Sequence, residues 1–200
     1  MNNPSRLIFV CISNRVRSVL SEFFFPVLLR EREPELVHRV EVSSAGFIPK
    51  TFKEKLERGG VSFPEPYYTR PMADITRAAL LKKGIEVPGE WRSKALTPEM
   101  VRDADLIITA LTDQKEELGT LYPDARAKFS SIRELAEWDD YLLFEDFSVL
   151  PTDGTFWNYV EGNSDYTLEI ISLTEKTLIR AFPNILRKLS LVGQATAPAM

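Results

Sequence analysis

Near the N-terminus, the segment Cys11-Ile12-Ser13-Asn14-Arg15-Val16-Arg17-Ser18 spaces a thiol six residues from an arginine, with a hydroxyl directly after. The apolar run Leu7-Ile8-Phe9-Val10 precedes it, and a helical pattern begins at Ser18. A loop that joins a strand to a helix N-terminus turns several backbone N–H groups toward one spot, with the positive end of the helix dipole behind them. A phosphate dianion suits such a spot. The loop Ile12, Ser13, Asn14, Arg15, Val16, Arg17 and Ser18 is therefore the expected phosphate cradle, or P-loop. Arg17 adds a planar bidentate fork for two phosphate oxygens. Cys11 sits in the same positive field, which favours a thiolate. Ser18 is placed to donate a hydrogen bond to it.

A thiolate beneath a bound phosphomonoester is aligned for in-line attack on phosphorus. The products of that step are a phosphocysteine and a leaving oxygen that needs a proton from a carboxylic acid. Water then hydrolyses the phosphocysteine, with the same carboxylate as base. No metal or other cofactor is required, because Arg17 and the amides stabilise the developing charge. The competing reading makes Cys11 a small buried hydrophobe and Arg15 and Arg17 solvated charges. Cations at a helix N-terminus are unfavourable without a compensating anion, which counts against it.

The elements that must position this loop follow from patterning. Ser18 to Arg32 reads as a helix, with Val19, Leu20, Phe23 and Val27 on one face and a kink expected at Pro26. His38 to Ser43 alternates like a second strand, and Ala45-Gly46 ends it; His38 is read as structural. Residues 50–70 read as a loop or insertion, with one helical turn in Phe52 to Arg58. Pro71 to Lys83 is a helix followed by Gly84, and Thr97 caps a short helix opened by Pro98. Ala104 to Leu111 is a third strand, Thr112 to Leu118 a helix, and Lys128 to Ile132 a short fourth strand. Residues 137–163 form a long acidic, aromatic loop. A final helix runs from Ser164 or Asp165 to about Leu189, interrupted near Pro183. Strand and helix alternate throughout. The expected fold is a three-layer α/β domain: a four-stranded parallel central sheet with helices on both faces. Residues 1–190 make this single domain, and 191–200 a flexible tail.

The cradle loop, with its preceding strand, resembles the low-molecular-weight protein tyrosine phosphatases, which carry Cys-x5-Arg-Ser directly after their first strand. Asn14 matches the family's loop asparagine, and Glu22 falls where a glutamate is common. Val42-Ser43-Ser44-Ala45-Gly46 is similar to the family's second strand, with Ser44 bracing the loop through Asn14. The likeness extends over Pro71 to Ile85, Arg92 to Leu96, Ala104 to Leu118 and Ile132 to Leu135. It implies phosphomonoester hydrolysis, with phosphotyrosine the usual substrate. Three departures stand out. Val16 replaces a frequent second cysteine, Val19 replaces the proline after Arg-Ser, and no Asp-Pro pair supplies the family's acid. Asp153, before Gly154, is the first candidate acid, Asp146 the second and Asp165 the third. Trp157 and Tyr159 either line a cleft for an aromatic ring or pack the long loop.

Composition narrows the alternatives. The chain has 200 residues, 44% hydrophobic and 27% charged, with a formal charge of −4. That excludes a chain-wide basic surface, so no nucleic acid partner is expected. No apolar run reaches membrane-span length, so no membrane partner is expected either. Cys11 is the one cysteine and His38 the one histidine. No intramolecular disulfide or Cys/His metal cluster can form, and the free thiol suits the cytoplasm. The expected partners are a phosphorylated protein or a small phosphomonoester as substrate, with phosphate or sulfate able to occupy the loop. Oligomeric state is open. Two other functions remain: an arsenate reductase that uses an external thiol, and a non-catalytic anion-binding relative.

Overall fold

The computed structural model describes residues 3–58, 60, 67–137 and 165–191, apart from the side chains of residues 55, 165 and 166. Four strands, β1 (Ser5–Cys11), β2 (Val40–Gly46), β3 (Leu106–Thr109) and β4 (Phe129–Ser131), form one sheet in the order β2-β1-β3-β4. Every pairing is parallel. Seven α-helices lie among the described residues: α1 (Arg17–Arg32), α2 (Lys50–Arg58), α3 (Asp74–Lys82), α4 (Pro98–Asp103), α5 (Thr112–Leu121), α6 (Ile132–Ala136) and α7 (Asp165–Lys188). The four-stranded parallel sheet with helices on both faces is the architecture expected from the sequence.

Side-chain alternation along β1 explains the layers. Leu7 and Phe9 pack with α1, α6 and α7 on one face, while Ile8 and Val10 pack with α4 and α5 on the other. A strand buried on both faces reads as a continuous apolar run, as this one does. β1 has β2 on one side and β3 on the other, so the chain reverses its winding direction there. Ligands of open parallel sheets bind beyond the strand C-termini at such a switch point. Cys11, the last residue of β1, lies there, opposite Gly46 in register.

Several boundaries differ from the sequence reading. The second strand is Val40–Gly46, and His38 lies before it, exposed in a 3-10 helix over Pro34–Arg39. The helix expected from Pro71 begins at Asp74. Gly84, at φ +71°, closes it: Gly84 N–H donates to the Leu81 carbonyl and Ile85 N–H to that of Leu80. The single turn expected near Phe52 is a nine-residue helix, α2, because Phe52 and Leu56 bury one face against Ile12, Tyr67 and Leu111. Glu117 of α5 accepts from the Lys50 N–H at its start. Thr97 caps α4 as expected, accepting from Met100 N–H.

Neither internal proline ends its helix: α1 continues through Pro26 and α7 through Pro183. Phe24, Phe25, Leu28 and Leu29 are buried around the first, and Ala181, Phe182, Ile185 and Leu186 around the second. Each large apolar side chain fully buried is worth about 1.5–3 kcal/mol, so several together outweigh the roughly 3 kcal/mol cost of an internal proline. The same packing corrects the helix face: Phe23 and Val27 are only partly buried, because the sheet and α7 cover a neighbouring stripe of α1. Among the described residues, no helix is long and apolar enough to cross a membrane.

Phe25 joins the layers. It has no exposed surface, and its ring lies 5.7 Å from Phe9 of β1 and 5.4 Å from Phe182 of α7. Phe25→Ala is expected to lower the unfolding free energy by about 3–5 kcal/mol, measured by urea denaturation.

Candidate active site

The loop leaves β1 at Cys11 and enters α1 at Arg17, and residues Cys11 to Val16 are buried. Its sharpest turn is at Asn14, whose φ of +53° lies in the left-handed region. Asparagine tolerates that conformation better than most side chains. Asn14 is fully buried, so its amide must find partners inside the protein.

Those partners fix the amide's orientation and, through it, the hydroxyl beside the thiol. Lys94 N–H donates to Asn14 Oδ1 at 2.9 Å, so the nitrogen must face the other way. Asn14 Nδ2 then donates to Ser18 Oγ at 3.0 Å and to Ser44 Oγ at 2.7 Å. Ser44 donates onward to Glu22 Oε2 at 2.6 Å, and Trp91 Nε1 donates to the same oxygen at 3.3 Å. Ser18 Oγ lies 3.0 Å from Cys11 Sγ. A Cys11 thiolate has no proton to give, so in that form the Ser18 hydroxyl is the donor of this pair.

The loop's outer side is tied down as well. The Cys11 carbonyl accepts from Phe47 N–H at 2.8 Å, and the Arg15 carbonyl accepts from Ala73 N–H at 3.2 Å. The Arg15 side chain is buried and runs to the segment before α3, where Nε donates to the Pro71 carbonyl at 2.8 Å. Val16 precedes α1 without a side-chain cap, and the first turn of α1 has no acidic residue. The N-terminal amides of a sixteen-residue helix therefore face the loop with no carboxylate in the helix's own first turn to neutralise them. Arg17, half-buried, is the first residue of that helix.

Thus hydrogen bonds join Cys11, Asn14, Ser18 and Ser44, with Ser13 buried in the same loop and Arg17 at the helix entry. Asp153 and Asp146 lie outside the described residues. Asp165 is the first residue of α7, and its side chain lies outside them too. Trp91 and the Lys94 amide carried no local signal: they reach the site because residues 92–96 run beside the end of β2, where Gly46 pairs with Ala95.

Residues 6–151 match the low molecular weight phosphotyrosine protein phosphatases. The chain belongs to that family. Solved structures agree in fold. A mutant of YwlE from Bacillus subtilis is 22% identical, with a TM-score of 0.60, and the match covers 92% of this chain and 99% of that one. The YwlE arginine phosphatase from Geobacillus stearothermophilus is 19% identical, TM-score 0.59, covering 94% and 97%. A protein tyrosine phosphatase from Entamoeba histolytica is 18% identical, TM-score 0.61, covering 93% and 97%. No curated protein matches the sequence.

In this low-molecular-weight phosphatase, burial pushes the Glu22 carboxyl above its ordinary value of 4.5, against the opposing pull of Ser44, Lys94 and Trp91. A raised value means that the folded state holds this proton more tightly than the unfolded state does. The carboxyl's contribution is therefore fully present below about pH 4.5 and is lost as pH rises through the folded value. Glu22→Gln keeps an oxygen to accept from Ser44 and Trp91 but cannot ionise. Its stability relative to wild type is expected to improve as pH rises across that window, as read from urea unfolding at a series of pH values.

Proposed function

We propose that the protein hydrolyses phosphate monoesters through a phosphocysteine on Cys11, with phosphotyrosine in proteins as its substrate. The observation that carries this reading is the Ser18 hydroxyl, 3.0 Å from Cys11 Sγ and held by Asn14. A donor aimed at sulfur stabilises a thiolate, the form that attacks.

The backbone of Ile12 to Arg17 cradles the phosphate, and the Arg17 guanidinium binds two of its oxygens. The Cys11 sulfur forms a bond to phosphorus as the phosphorus–oxygen bond of the ester breaks. The departing oxygen takes a proton from a carboxylic acid, releasing the alcohol or phenol. That carboxylate then removes a proton from water, whose oxygen attacks phosphorus. Inorganic phosphate leaves and the thiolate returns. Asp153 is the proposed acid and base. It precedes α7 in the chain, where the family resemblance puts that group. The side chains of Asn14, Ser44 and Glu22 brace the loop from behind.

Hydrolysis of p-nitrophenyl phosphate without added metal tests this. Cys11→Ser is expected to lose all but about a thousandth of wild-type kcat. Arg17→Lys, which keeps the charge but not the fork, is expected to lose about 100-fold or more in kcat/KM. Asp153→Asn is expected to lose about 100- to 10,000-fold. Phosphate binding with no wild-type turnover would instead identify a non-catalytic anion-binding relative. Turnover of arsenate with an external thiol would favour a reductase. Faster turnover of a phosphoarginine peptide than of a phosphotyrosine peptide would overturn the substrate assignment alone.

A further inference from the structure

A trans peptide unit is planar, with its carbonyl and the next N–H pointing in opposite directions. Whatever captures a carbonyl on the outside of the loop therefore decides where the following amide points. Two units of the loop are held by main-chain donors, Phe47 N–H on the Cys11 carbonyl and Ala73 N–H on that of Arg15. Between them, the Ile12 carbonyl accepts from the Tyr68 hydroxyl at 3.1 Å. This third holder is a side chain, fifty-six residues away in sequence.

The surroundings of Tyr68 are built to deliver that hydroxyl. A Cβ on Gly46 would lie 2.3 Å from the Tyr68 ring and 2.8 Å from the Ile12 carbonyl oxygen, so only glycine leaves space for the contact. Tyr67 packs edge-on to Tyr68, with ring centres 5.1 Å apart, and is itself buried with Ile12, Phe52 and Leu56. Thr69 follows at φ +73°, a strained conformation for a β-branched residue. Such strain persists only where the surroundings enforce it. Here Ser93, itself buried, enforces it from both sides. Its carbonyl accepts from Thr69 N–H, its hydroxyl from Arg70 N–H, and its own N–H donates to the Arg70 carbonyl. Burial, and then the proximity of Cys11, push Tyr68 well above the ordinary range of a phenol, so the hydroxyl remains a donor.

On the phosphate-loop reading above, we infer that Tyr68 is a positioning residue for catalysis: its hydroxyl sets the Ile12–Ser13 peptide plane and so aims the Ser13 N–H at the bound phosphate. Without the hydroxyl, that plane is free to turn its carbonyl oxygen toward the anion.

The test uses the full chain and inorganic phosphate, titrated by calorimetry. Tyr68→Phe removes one oxygen and is expected to weaken phosphate binding about tenfold, with a similar fall in kcat/KM for p-nitrophenyl phosphate. Ile107→Val, in the core of β3, trims a buried side chain without touching the loop and is expected to leave phosphate affinity unchanged. Phosphate affinity within twofold of wild type in Tyr68→Phe would overturn the inference, as would equal weakening in both variants. Should Tyr68→Phe fail to fold, the wild-type amide spectrum decides. The Ser13 N–H resonance is expected to shift strongly downfield with phosphate, and an unmoved Ser13 resonance would sink the idea. A wild type that binds phosphate but turns nothing over contradicts the proposed hydrolysis and leaves the Tyr68 result standing on affinity. One that binds no phosphate contradicts both.

Discussion

The buried Asn14 amide is the constraint on which the site depends. It sits at the one left-handed residue of the loop and uses its oxygen and both nitrogen hydrogens on three separate segments. The Lys94 amide reports the edge beyond β2, Ser44 reports β2 itself, and Ser18 reports the first turn of α1. Without Asn14 each of these groups loses a hydrogen bond, at about 0.5–1.5 kcal/mol apiece. The loop therefore cannot relax on its own. Any change of its shape breaks contacts to the sheet and to α1 together. Because the amide's orientation is dictated by a main-chain donor, its nitrogen holds Ser18 Oγ 3.0 Å from the sulfur of Cys11.

The wider fold supplies what the loop cannot. β1 ends at the switch point of the sheet, and α1 begins six residues after Cys11 with an uncapped, uncarboxylated N-terminus. Those two features are what the proposed phosphate site draws on from the backbone alone. The packing of α1 then fixes the helix axis: Phe25, Leu28 and Leu29 are buried between the sheet and α7. Core apolar packing and active-site electrostatics thus meet in one helix, whose buried stripe sets the direction in which its N-terminal amides point. The chain's negative formal charge does not oppose this, since the field at a cleft is set by the groups that line it.

The elements nearest the chemistry were the most legible in sequence. An apolar run ending in Cys11, followed by a polar loop and a helical pattern, left little choice of local structure, and the parallel alternation placed it at a strand C-terminus. Asn14 and Ser44 were readable as a bracing pair through the family likeness. What escaped the sequence depends on distant partners. Trp91 meets Glu22 across sixty-nine residues, and Tyr68 meets Ile12 across fifty-six, with no local periodicity to announce either. Pro183 misled for the opposite reason: its local penalty is real, but core burial on both sides overrides it. The full length of α2 was hidden because only Phe52 and Leu56 of its apolar face are buried, among many charges.

The central claim is that Cys11 carries the phosphoryl group. A rapid acid quench of wild-type protein during turnover of p-nitrophenyl phosphate, followed by peptide mass spectrometry, tests it most directly. The account predicts that the peptide containing Cys11 gains one phosphoryl group, that the group is lost as substrate is exhausted, and that no other residue is labelled. Sustained turnover with Cys11 unmodified and the label on another side chain, or on none, would contradict it.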